Sequence, residues 1–143
     1  EERVFYVRSK GKKDYSIKVF PEAQEIIDRY KGKTYMLDAM DKYTDYRTAL
    51  RRINLRLKDV IAVECGIDKP LTTYYARHTW ATIASSLGVS RDTIRYALGH
   101  ATSTVTDIYI DYDLDKVDQA NRIVIDYIKK LPSESAPLSE ISE

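Results

Sequence analysis

Residues Leu71–Tyr109 read LTTYYARHTWATIASSLGVSRDTIRYALGHATSTVTDIY, and the rest of the chain is organised around them. Gly88 and Gly99 divide the stretch into helical runs. Glycine enters the left-handed conformation that ends helices at no steric cost, so each marks a C-terminal cap. Before Gly88, the residues Ala76, Trp80, Ile83 and Leu87 recur at the spacing of one buried helical stripe, with Thr72 or Thr73 as the starting cap. Ser90 caps a short helix through Tyr96 and Leu98, and Ser103 caps another that carries Tyr109. Both histidines of the protein, His78 and His100, fall inside the stretch.

Three of its side chains suit phosphoryl transfer, which needs cationic donors on the non-bridging oxygens, a nucleophile in line and an acid for the leaving oxygen. Arg77 is the candidate clamp, because a guanidinium binds two phosphate oxygens in fixed geometry. His100, just after a glycine turn, can donate to the same phosphate or move a proton. Tyr109 is the candidate covalent nucleophile, and a phenol with an ordinary pKa of about 10 needs such neighbours to react at neutral pH. Tyr74, three before Arg77, shares its helix face. His78 points elsewhere and reads as a buried hydrogen-bonding partner. Singly, each has a plain structural explanation: Tyr109 is one of 12 tyrosines, and Tyr112 is a nearby rival. Order and spacing are what single out Arg77, His100 and Tyr109.

Working outward, the opening VFYVRSKGKKDYSIKVF alternates apolar residues at Val4 and Tyr6, then at Tyr15, Ile17 and Val19, around the turn Lys10-Gly11-Lys12-Lys13. That pattern predicts a β-hairpin. Pro21 opens a helix with Ala23, Ile26, Ile27 and Tyr30 at helical spacing, and a polar loop over 31–42 follows. A long helix is expected from Thr44 to Cys65, where Tyr46, Leu50, Ile53, Leu57, Val60 and Glu64 share one arc and Gly66 caps the end. Arg47, Arg51 and Lys58 share a neighbouring arc suited to phosphate contacts, with Arg52 and Arg56 further round. A last helix over 115–130 places Val117, Ala120, Val124 and Tyr127 on one side, and residues 131–143 form a flexible acidic tail.

Composition fits an ordinary soluble domain of 143 residues with 43% hydrophobic and 31% charged content. No run is long and apolar enough to span a membrane, and no metal-ligand cluster stands out. The lone Cys65 excludes an internal disulfide and reads as a small core residue. The net charge of +1 hides an asymmetry: residues 1–60 carry an excess of five positive charges and residues 101–143 an excess of five negative ones. A basic face for nucleic acid is therefore compatible with the near-neutral total.

The combination Arg77-His78-Thr79, Leu98-Gly99-His100 and Tyr109 resembles the catalytic domain of tyrosine recombinases, the phage-integrase family, in its mobile-element integrase type. The resemblance implies a mainly α fold with a small antiparallel β-hairpin (α+β), that of DNA breaking-rejoining enzymes. It implies site-specific DNA recombination through a 3′-phosphotyrosyl intermediate on double-stranded DNA, without metal, ATP or any other cofactor, by a homo-tetramer. A hairpin lysine joins the site in the family, here Lys10 with Lys12 and Lys13 as rivals and as DNA contacts. Tyr74 stands where the family usually has histidine, and a phenol still donates to phosphate. The family's final helix docks on a neighbouring subunit. A further upstream arginine of the family has no counterpart, so residues 1–130 are expected to be a partial catalytic domain lacking that helix and the DNA-clamping domain, and inactive alone. The implied setting is the bacterial cytoplasm, at the nucleoid, with no small-molecule substrate.

The competing readings are non-catalytic. ATIASSLGVSRDTIRYALGH also resembles a helix-turn-helix with Arg91, Asp92 and Arg95 exposed, as in a DNA-binding regulator, and a recombinase-like factor can lose catalysis. Convergence of Arg77, His100 and Tyr109 on one surface separates these from the enzyme.

Overall fold

The hairpin forms where the alternation predicts it. β1 (Arg3–Val7) pairs antiparallel with β2 (Asp14–Lys18), with Val4 opposite Ile17 and Tyr6 opposite Tyr15. The Tyr6 and Tyr15 rings stack at 5.3 Å, and Tyr15 meets Tyr96 at 6.4 Å, which ties the sheet to the helical part. The computed structural model describes residues 2–7, 14–100 and 114–132. The hairpin turn with Lys10, Lys12 and Lys13, the expected helix from Ser103 with Tyr109 and Tyr112, and the tail from 133 onward lie outside the described residues.

Pro21 starts α1 (Pro21–Arg29), where its missing N–H costs nothing. The expected loop over 31–42 is more ordered than polarity suggested. Lys31 and Leu37 form an isolated bridge, and a short helix, α2 (Asp38–Asp41), follows. The Asp41 carboxylate accepts from the amides of Lys33 at 2.5 Å, Thr34 at 3.1 Å and Tyr35 at 3.2 Å, which closes the loop. Burial raises the Asp41 pKa, but those amide bonds outweigh it and hold the carboxyl below its usual range.

The long helix runs from Tyr46 to Glu64, inside the expected span of Thr44 to Cys65, but it is not one regular α-helix. It begins at α3 (Tyr46–Arg56), where the Asp45 side chain accepts from the Thr48 amide at 2.9 Å. It then widens into a π turn (Leu57–Ile61) and ends in α4 (Ala62–Glu64). A π turn inserts one residue and rotates everything after it by about 100° relative to an α-helical count. Beyond it the expected stripe breaks: Ala62 is buried while Glu64 is exposed. Tyr46 before the turn, 63% exposed, Val60 within it and Cys65 after it, expected in the core, are exposed as well, because little of the rest of the described chain packs on this helix.

α5 (Thr73–Ser86), α6 (Arg91–Ala97) and α7 (Leu114–Lys130) pack on one another, and α7 also reaches β2. Ser90 caps α6 as predicted, accepting from the Thr93 amide at 3.2 Å. Thr72 makes no capping bond; instead Asn54 of α3 accepts from the Thr73 amide at 2.9 Å. The core lies here, with Ala84, Thr93, Val117, Ala120 and Val124 buried. Within this chain, Val117, Ala120 and Val124 of α7 are buried in its packing on α5 and α6.

Two ion-pair groups fasten α7 to the start of the chain. Arg3 donates to both carboxylate oxygens of Asp118 at 2.7 and 3.1 Å, with side chains only 19% and 12% exposed. Arg122 donates to both oxygens of Glu22 at 3.0 Å, and Lys129 adds a bond to Glu22 at 2.9 Å. The Arg122 and Lys129 bonds hold the Glu22 carboxyl well below the usual range. Among the described residues, no helix is long and apolar enough to cross a membrane.

Candidate active site

Arg77 sits in the middle of α5, and four elements meet around it. Its side chain lines a cavity of about 180 Å³ shared with Ile17 of β2, Trp80 of α5, Ala97 and Leu98 at the end of α6, and Val117 and Asn121 of α7. The aliphatic stem thus lies along apolar surface while the guanidinium reaches past it. Its Nη2 donates to the Leu98 carbonyl, a hydrogen bond across 21 residues of sequence. The indole Nε1 of Trp80 is buried without a hydrogen-bond partner among the described residues.

The acceptor belongs to the turn that ends α6. The Gly99 amide donates to Tyr96 O at 2.8 Å and the His100 amide to Arg95 O at 3.0 Å, the paired bonds of a Schellman cap. That cap requires the left-handed φ of +63° found at Gly99. His100 leaves the turn exposed, one residue further on. Arg77 and the turn leading into His100 are therefore bonded neighbours.

Tyr74 lies one turn before Arg77 and is 57% exposed. Its ring centre is 6.0 Å from the Arg77 guanidinium carbon, at the outer limit of a cation–π contact. His78, expected to be buried, is exposed; it packs edge-on against Tyr74 at 4.7 Å and lies 6.4 Å from Tyr75. A residue one step from Arg77 is turned by about 100° on the helix, and here that direction leads to solvent and not to the core.

Arg47 and Arg51 on α3 and Lys58 in the π turn are all exposed. The Asn54–Thr73 bond holds this basic helix against the first turn of α5, where Tyr74 lies. Lys10, Lys12, Lys13 and Tyr109 lie outside the described residues. Two contributors escaped the sequence reading: the Leu98 carbonyl and the Asn54 side chain. The glycine after Leu98 was the available signal for the first, since a Schellman cap leaves the carbonyl before it aimed away from the helix. Nothing local marks Asn54 as the cap of a helix 19 residues later.

Chemically, the described part of the site offers a planar cationic fork, an imidazole on a turn bonded to it, and a phenol beside it. This set suits the oxygens of a phosphate group. Among the described residues, no group of histidine, cysteine and carboxylate side chains is arranged to hold a metal ion.

Comparison with known proteins agrees in kind. Neither a curated protein nor a solved structure matches the chain. The profile of the phage integrase family, however, matches residues 1–116, which takes in the hairpin, the Arg77 helix and the Leu98-Gly99-His100 turn. The chain therefore belongs to the phage integrase family, the tyrosine recombinases, and with it to the proteins of site-specific DNA recombination.

Proposed function

We propose that the protein exchanges DNA strands by transesterification with Tyr109 as nucleophile. The Tyr109 phenolic oxygen bonds to the phosphorus of the scissile phosphodiester as the bond to the 5′-oxygen breaks. The products are a 3′-phosphotyrosyl link and a 5′-hydroxyl, and attack by another 5′-hydroxyl reverses the step. Arg77 binds two non-bridging oxygens and Tyr74 donates to the same phosphate, while His100 accepts the phenolic proton of Tyr109 and Lys10 protonates the leaving oxygen. The energy of the broken ester is kept in the new one, so the scheme needs no ATP, and Arg77, His100 and Lys10 supply the positive charge that stabilises the transition state.

The observation that carries this reading is the Arg77–Leu98 bond, which joins the Arg-His-Thr and Leu-Gly-His motifs. A helix-turn-helix regulator would instead turn Arg91 and Asp92 of α6, both exposed, to DNA and form no covalent link, which the trapping experiment distinguishes. Arg47, Arg51 and Lys58, with Lys12 and Lys13, contact the DNA backbone, and the active assembly is a tetramer on double-stranded DNA in the bacterial nucleoid.

The family's phosphate clamp has a second arginine, for which these 143 residues offer no counterpart. Its loss costs about 3–4 kcal/mol of transition-state stabilisation, by analogy with the removal of one oxyanion donor. The 143 residues alone are then nearly inactive, and sizeable recombination by them contradicts this part.

The test is covalent trapping. The chain, alone and fused behind a recombinase segment that carries the second arginine, is mixed with a nicked suicide duplex selected for binding from a random pool, and any adduct is mapped by mass spectrometry. An adduct at Tyr109 that disappears in Tyr109→Phe supports the proposal. An adduct at Tyr112 moves the nucleophile, and specific binding without any adduct overturns the enzymatic reading.

A further inference from the structure

We propose that the Leu98–Gly99 turn is a positioning element, a single backbone feature that holds Arg77 through the Leu98 carbonyl and sets the direction of His100. The inference rests on the roles given above to Arg77 and His100.

The geometry of the helix end carries it. The Schellman bonds from Gly99 and His100 use the carbonyls of Tyr96 and Arg95. Leu98, the last residue of the helix end at φ −78° and ψ −4°, presents its carbonyl to α5, where Arg77 Nη2 donates to it. The left-handed φ of +63° at Gly99 then sends His100 away from the helix into an exposed position. Both belong to one cap, because the paired Gly99 and His100 amide bonds that fix the last turn under Leu98 need that left-handed φ.

A guanidinium is planar, and its N–H groups keep fixed relative directions. Anchoring one of them to a rigid carbonyl orients the others before any phosphate arrives. The rotational freedom of a long side chain is thus removed in the free protein and not at the moment of binding. A lysine has no such plane, and its ammonium on the same carbonyl fixes no direction for its remaining protons. Leu98 and Gly99 act through Arg77 and His100 and touch no substrate themselves.

Three variants test this: Gly99→Ala, which disfavours positive φ; Gly99→Asn, which tolerates it; and Gly66→Ala, which places the same strain at φ +63° on the far helix end. The first readout is nitrogen-15 NMR of the arginine side chains, with Arg77 assigned through Arg77→Lys. A guanidinium held on a carbonyl rotates slowly and gives separate Nη signals in the cold. Separate signals are expected in the unaltered chain, Gly99→Asn and Gly66→Ala, and collapsed ones in Gly99→Ala. Signals that stay separate in Gly99→Ala, or collapse equally in Gly66→Ala, overturn the inference.

The second readout is the single-turnover rate of adduct formation set against DNA affinity. Gly99→Ala is expected to slow the rate by about tenfold to a hundredfold, the scale of a small misplacement of catalytic groups, with binding within about twofold. Gly99→Asn restores most of the rate. Equal loss of rate and binding, or no rescue by asparagine, sinks the positioning role. If the unaltered protein forms no adduct, the recombinase reading fails, and the NMR result still decides whether the turn holds Arg77.

Discussion

The α5–α6–α7 half and the α3–α4 arm carry different parts of the site on very different foundations. The first is knit across the chain: buried Ala84, Thr93, Val117, Ala120 and Val124 meet there, and Arg77 and Arg3 bond to residues distant in sequence. The second buries only Ala49 and Ala62, leaves Val63 71% exposed, and meets α5 through the Asn54 cap. An apolar groove of about 700 Å³, lined in part by Leu57, Leu71, Tyr75, Trp80 and Val124, runs where the two approach. Arg77 thus sits where packing and a distant hydrogen bond fix its position, and Arg47, Arg51 and Lys58 sit on the looser arm. Bond-making needs sub-ångström placement, while phosphate contacts by long basic side chains tolerate motion.

The largest expected effect strikes the rigid half. Arg77→Lys keeps the charge but removes the planar fork, and should slow adduct formation by about 100- to 1,000-fold with DNA affinity little changed. An equal fall in affinity would place Arg77 in binding instead. Asp118→Ala breaks the most deeply placed ion pair and should cost about 3 kcal/mol of global stability in urea unfolding. A loss below 1 kcal/mol would show that β1 is not part of the cooperative unit.

On the arm, Arg47→Ala, Arg51→Ala and Lys58→Ala should each reduce the slope of log affinity against log salt by about 0.9, with melting temperature unchanged. Unchanged slopes would return these residues to an ordinary solvated face. Asn54→Ala should cost about 1 kcal/mol and speed amide exchange at Thr73 and along α3, leaving α7 protected. Uniform loss of protection would erase the distinction between the two regions.

The smallest effect concerns Glu22, whose side chain and that of Arg122 are 29% and 32% exposed, so water screens the pair. Its carboxyl is depressed in the folded state, so the stabilisation is present above the unfolded value of about 4.3 and is lost as pH falls through the folded one. Asp45 adds in the same sense, held low by the Thr48 amide and hydroxyl. Glu22→Gln should lower the melting temperature by a few degrees at neutral pH, and the gap should close in acid. A gap that persists at pH 2 would mean the glutamine fails for reasons of packing.

The hairpin, the Ser90 cap, the glycine-ended helices and the family motifs were all legible in the sequence. Each depends on residues within a few positions of one another, where turn chemistry and helical periodicity act directly. The π turn is not, because periodicity counts residues and cannot show where one is inserted, which puts Glu64 off its expected arc. Nor is the sparse packing that leaves Cys65 exposed. His78 reads as buried because it points away from Arg77 on the helix, yet only the packing around α5 shows that this direction is open to solvent.

By itself the sequence determined the chemical inventory: an arginine, a glycine turn with its histidine, a tyrosine nine further on, and the helices and hairpin that carry them. The tertiary structure alone decided which of those parts touch. It chose the Leu98 carbonyl as the Arg77 acceptor, Asn54 as the cap of α5 and Asp118 as the partner of Arg3, over separations of 21, 19 and 115 residues. Such contacts depend on how the whole chain closes around its core, and local propensity holds no record of that closure.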